Sequence, residues 1–157
     1  MVFHLEKEPF NAGASVAGAF GVVGAAGALA ASMVSRVQKR IPLQKVISYS
    51  IYMMIISWII FLFVGYTYIG LIVGVILLDL GLQASHISNQ STFFALNIGA
   101  TNRLNTVYMF SYFVGGSLGT FLASQAWKYF QWEGVVGLGL ICSFLVLIAH
   151  LRYAKKD

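Results

Sequence analysis

Charge is what this sequence has least of. Only 10% of its 157 residues are Asp, Glu, Lys or Arg, where a soluble domain carries about 25%. The single cysteine, Cys142, excludes an intrachain disulfide and reads as a small apolar residue. The three histidines, His4, His86 and His150, are scattered without metal-ligand spacing. No Ser–His–acid set, P-loop or pair of carboxylates is legible. These absences argue against covalent chemistry, so the expectation is a non-enzyme with no metal and no cofactor.

What is present is apolar surface. Hydrophobic residues make up 59% of the chain, more than a soluble core of this length can hide, so lipid is the expected solvent. The net charge of +5 does not point to nucleic acid, because in a membrane chain the placement of charge says more than its total. Unbroken apolarity predicts helices rather than barrel strands, which would alternate.

Five stretches reach the roughly 20 residues needed to cross about 30 Å of hydrocarbon: near 14–34, 46–64, 66–86, 105–127 and 134–151. The fold class is therefore all-α, a polytopic membrane helix bundle forming one membrane domain over 1–157. Gly65, Tyr66 and Thr67 supply the tight turn between the second and third spans. "HISNQSTFFALNIGATNRLN" reads as the long connection that follows, with Phe93, Phe94 and Leu96 as an apolar patch lying at the interface.

Arg36, Lys39, Arg40 and Lys45 lie in one loop, over 35–45. Arg103 lies in another, and Arg152, Lys155 and Lys156 in the tail over 152–157. If all five spans cross, these eight share one side, with only Lys7 and Lys128 opposite. The positive-inside rule then puts the N-terminus outside and the tail in the cytoplasm. Tyr66, Tyr68, Trp127, Tyr129 and Trp132 form the expected outer aromatic belt, with Tyr49 and Tyr153 near the inner face. No cleavable signal peptide is visible. An outside start and an odd span count predict that something upstream is missing.

Small residues are patterned. Gly18, Gly21, Gly24 and Gly27 recur every third position in the first span, and Gly115, Gly116 and Gly119 mark the fourth. Such residues let membrane helices approach closely. Plain packing explains them, and so does a surface that slides during transport.

A Gly/Ala-rich helix, the basic loop "SRVQKRIPLQK", an apolar hairpin, "LLDLGLQASHISNQ" and "RLNTVYMFSYFVGGSLGTFLASQAW" follow one another in this order. The combination resembles the C-terminal half of a major facilitator superfamily transporter of the bacterial drug- or sugar-efflux type, from about Pro9 to Leu151. The resemblance implies that the five spans match helices eight to twelve. It also implies that Arg36, Lys39 and Arg40 keep the basic character of the family's cytoplasmic loop motif, while Gln38 replaces the usual acid. Helix seven and the N-terminal half are absent from the match. The partners implied are the lipid bilayer, an unidentified small-molecule solute, and either the missing half or a second copy of the chain. The implied location is the bacterial inner membrane.

Asp79 is the lone acid inside a span, and a bare carboxylate there is costly. Three readings stay open: an ion pair with Arg103, a cavity residue touching solute or proton, or a protonated acid bonded within the bundle. Gln83 shares its helical face. Asn105, Tyr108 and Tyr112 fall on one face of the next span, as a cavity lining or as packing. His86, Ser88, Asn89 and Gln90 read as a solvated helix end. The sequence thus leads to a fragment or half of a secondary transporter, working by alternating access and coupled to protons. The alternative is a non-transporting structural or regulatory membrane protein.

Overall fold

The structure, a computed structural model, describes residues 2–6, 10, 18, 40–95 and 101–154. Gly21, Gly24, Gly27, Arg36 and Lys39 lie outside the described residues, as does most of the expected first span. Among the described residues every element is helical: α1 (Val2–Leu5), α2 (Leu43–Val64), α3 (Tyr68–Phe94) and α4 (Thr101–Ala154). Three of them are long and apolar enough to cross a membrane, by length and composition.

Each boundary has a local cause. Pro42 precedes α2, and its carbonyl accepts from the N–H groups of Lys45 and Val46, giving the helix its first turn without needing an N–H of its own. Gly65 ends α2, and Thr67 caps α3 by accepting from Gly70 N at 3.1 Å. The α2–α3 hairpin turns on Gly65–Thr67.

α4 would run ~80 Å if straight, but its 54 residues are broken at Gln131, whose φ of 54° and ψ of −137° are not helical. The chain folds back there. Tyr108 of the first arm (101–130) and Val146 of the second (132–154) line the same cavities. Four antiparallel rods result, with the hairpin turn and the Gln131 break at one end and the helix starts at Leu43 and Thr101 at the other.

The core lies between α2, α3 and the second arm. Phe61, Leu71, Trp132 and Val136 are buried together near the turn end, and Ile47, Ile51 and Ile55 pack with Leu140 and Leu147 toward the other. Ser57 is buried and donates to the Gly74 carbonyl, tying α2 to α3. The first arm is different. Most of it is exposed, and a Cβ placed on Gly115, Gly116 or Gly119 would meet nothing within 4 Å.

Two expectations are corrected here. Trp132 does not belong to an exposed belt. It is 6% exposed and donates from its indole nitrogen to the Phe61 carbonyl. Nor does an irregular connection begin at residue 86: α3 continues as helix to Phe94, with Ser88 fully buried.

The short N-terminal turn docks on the hairpin end. Leu5 and Phe10 enter the Phe61–Trp132 cluster. His4, 3% exposed, lies parallel to Trp132 with ring centroids 3.9 Å apart, and its Nε2 is 2.9 Å from the Gly65 carbonyl. A carbonyl only accepts, so Nε2 carries the proton. Burial pushes the His4 pKa below the usual histidine value, against the opposing pull of the Gly65 bond.

Candidate functional site

Away from that end, α3 turns a polar face inward. Ser85, His86 and Asn89 sit within one turn, and Asn89 donates to Ser85 Oγ at 3.2 Å. The first arm of α4 brings Tyr108 and Tyr112 against them. Tyr112 meets the His86 ring edge-on at 4.5 Å and Tyr108 meets it at 5.5 Å. The Tyr108 hydroxyl donates to the His86 carbonyl at 3.0 Å, and its ring leans on Phe93. The second arm adds Cys142, Ser143 and Val146, and α2 adds Ile51 and Met54. Together they line a half-open cavity of about 280 Å³.

A second cavity of about 500 Å³ shares Ile51, Ser85, Asn89, Tyr108 and Val146 with the first and extends to Gln44, Thr92, His150 and Tyr153. Ser48 donates its one hydroxyl proton to the Gln44 carbonyl at 3.0 Å. Its 2.8 Å contact with His150 therefore has the imidazole as donor. That bond ties the start of α2 to the end of α4.

The lining is thus two-natured: aromatic and aliphatic walls with isolated hydroxyl, amide and imidazole groups. Among the described residues no carboxylate, lysine or arginine lines either cavity. Among the described residues no three His, Cys, Asp or Glu side chains gather as a metal set.

The residues singled out in the sequence divide sharply. Tyr108 and Tyr112 line the site. Asp79, Gln83 and Asn105 do not, Asn105 being exposed. Asp79 makes no ion pair with Arg103 among the described residues. The register explains why. Tyr108 and Tyr112 lie against His86, and Leu82 shares a groove with Tyr112 and Gly115. Asp79 therefore stands level with the glycines of the first arm, and Arg103 is displaced from it by ~18 Å along the helix. Gly18 is exposed, and Arg40 is an exposed turn residue before α2.

Sequence reasoning read His86 and Asn89 as part of a solvated helix end and passed over Ser85 and Ser143. Ser143 gives no signal, being one hydroxyl in an apolar run.

No protein-family model matches the chain, and no solved structure matches it. Curated relatives do. "Uncharacterized transporter YgaY" of Escherichia coli O157:H7 is 34% identical over 105 residues, which are 67% of this chain and 27% of that protein. The counterpart in strain K12 aligns with the same identity and coverage. "Probable transporter SCO4007" of Streptomyces coelicolor is 29% identical over 130 residues, 83% of this chain and 30% of that protein. The chain therefore spans under a third of the length of these relatives.

Proposed function

We propose that the chain is part of a membrane transporter. The observation that carries this reading is a half-open cavity between apolar, membrane-length helices, its aromatic and aliphatic walls carrying isolated polar groups, in a chain similar to proteins named as transporters. A bundle that only filled lipid would gain nothing from hydroxyl, amide and imidazole groups gathered around one cavity.

In its finer form the proposal is a secondary active transporter of major facilitator type, moving a small solute outward by alternating access with protons as the driving ion. The order of sequence motifs supports this, and repeated helix hairpins with sites near the midplane are common in such proteins. Asp79, Gln83 and Asn105 remain candidates for the solute or proton pathway. We place the N-terminus outside and the tail in the cytoplasm of a bacterial inner membrane, with Arg36, Lys39 and Arg40 in a cytoplasmic loop, on the asymmetry of basic residues. The bare first arm, with its groove along Gly115, Gly116 and Thr120, is where further helices would pack. They would come from the rest of a longer polypeptide, a separately encoded half, or a second copy.

The test is reconstitution in vesicles, of the chain alone and together with a candidate upstream half, with solute flux followed under an imposed proton gradient. Gradient-dependent, saturable flux in the combined vesicles supports the proposal. Its absence there, with both parts folded and associated, leaves the alternative of a structural or regulatory membrane protein.

A further inference from the structure

Ser143 is 5% exposed, lines the smaller cavity, and makes no hydrogen bond within the protein among the described residues. That is unusual. A serine in a helix readily bonds back to the carbonyl four residues earlier, as Thr106, Thr120 and Ser124 do here. The residue is buried, but its hydroxyl is not sealed in the core: it opens on the cavity, where a molecule occupying that space can bond it.

Two further groups around the same space make no hydrogen bond among the described residues. The His86 imidazole makes only ring contacts. The Tyr112 hydroxyl makes no hydrogen bond, whereas that of Tyr108 is spent on the His86 carbonyl. The remaining surface is aromatic or aliphatic. The cavity, about 280 Å³, is nearly twice the ~150 Å³ that holds benzene in an engineered apolar site, which is room for two fused rings.

We propose that this cavity binds an uncharged aromatic solute carrying a hydroxyl group, with Ser143 and Tyr112 bonding the hydroxyl and the His86 and Tyr112 rings packing on its face. The described lining disfavours charge. Among the described residues a cation would find no carboxylate, and an anion no lysine or arginine, so either would be desolvated without compensation. The proposal rests on the reading of this cavity as a solute site. An equilibrium binding measurement, which needs no gradient, separates its failure from a failure of transport.

The experiment uses the full chain in detergent and four matched probes: naphthalene, 2-naphthol, 2-naphthoate and naphthylmethylammonium. The saturable part of the calorimetric heat is compared for wild type, Ser143→Ala and Tyr112→Phe. 2-Naphthol is expected to bind best, and to lose about three- to tenfold in affinity in each variant, the worth of one hydrogen bond. Naphthalene should be indifferent to both changes. Thermal unfolding of Ser143→Ala should be unchanged or raised, because no hydrogen bond among the described residues is removed. Tyr112→Phe keeps its ring and is half exposed, so it reports even if Ser143→Ala misfolds. Tighter binding of the carboxylate or the ammonium probe overturns the proposal. So does 2-naphthol affinity unchanged in both variants, or a lower melting temperature for Ser143→Ala, which would show that the hydroxyl holds helices together rather than a ligand.

Discussion

The hydroxyl of Ser57 in α2 donates to the backbone carbonyl of Gly74 in α3 at 2.6 Å, and the same glycine admits the ring of Phe61 against the α3 backbone. A Cβ at Gly74 would collide with that ring. One residue of α3 thus receives both a polar tie and an aromatic side chain from α2, which is possible only because it has no side chain of its own. Phe61 cannot retreat, since it is packed edge-on between Trp58 and Trp132.

Gly74→Ala is therefore expected to destabilise the bundle by about 1–3 kcal/mol, the usual cost of overpacking, with Gly139→Ala similar because its Cβ would strike the Trp58 ring. Ser57→Ala should cost about 0.6–2 kcal/mol, the range for interhelical hydrogen bonds in membranes. Unfolding in mixed micelles measures all three. A Gly74→Ala chain as stable as wild type would mean that α2 and α3 are not packed at this distance.

The glycines of the first arm should behave in the opposite way. Nothing lies within 4 Å of a Cβ on Gly116 or Gly119, so Gly119→Leu should change the stability of the isolated chain by less than about 0.5 kcal/mol, as for surface positions. If further helices pack there, the same change should abolish co-purification with a supplied half, or self-association. Loss of stability in the isolated chain would show that the arm is already packed.

His4 gives a pH dependence with a definite sign. Its folded pKa is lowered by burial, so the docked N-terminal turn is fully stable above the unfolded value of about 6.5. That stability is lost as pH falls through the lower folded value, where docking would bury a charged imidazole. In a chain with Trp58→Phe and Trp127→Phe, Trp132 fluorescence should report this undocking with a midpoint below 6.5. His4→Phe should remove the transition. A midpoint above 6.5 would reverse the sign and with it the account of burial.

Asp79 and Arg103 are expected to act independently. Sites this far apart usually add within about 0.3–0.5 kcal/mol, so Asp79→Asn combined with Arg103→Gln should equal the sum of the single changes. A coupling of 1 kcal/mol or more would restore the ion pair and refute the register.

Topology can be read by labelling single cysteines at Gln38 and Phe130 in a chain carrying Cys142→Ser. Phe130 is exposed beside the Gln131 reversal. Only position 130 should react with a membrane-impermeant thiol reagent in intact cells. Labelling of position 38 from outside would invert the assignment.

The sequence by itself determined the solvent and the element type. Long apolar runs with little charge admit only helices in lipid, because every backbone group must be paired within its own segment. It also located the α2–α3 turn, since Gly65–Thr67 interrupts apolarity with residues suited to a helix end and a cap. It did not reveal which polar groups meet. Helical periodicity set Tyr108 and Tyr112 on one face, but their partner His86 lies over twenty residues away in the chain, and the pairing depends on the axial register of two helices. That register is set by the ring contacts of Tyr108 and Tyr112 with His86 and by the bond from Tyr108 to the His86 carbonyl, and neither leaves a periodic trace. The same register separates Asp79 from Arg103, which seemed neighbours when only the connection between their helices was counted. Ser143 became visible last of all. A lone hydroxyl in an apolar run is ordinary in sequence, and only the folded arrangement showed the residue buried, with its hydroxyl on a cavity and without a partner among the described residues.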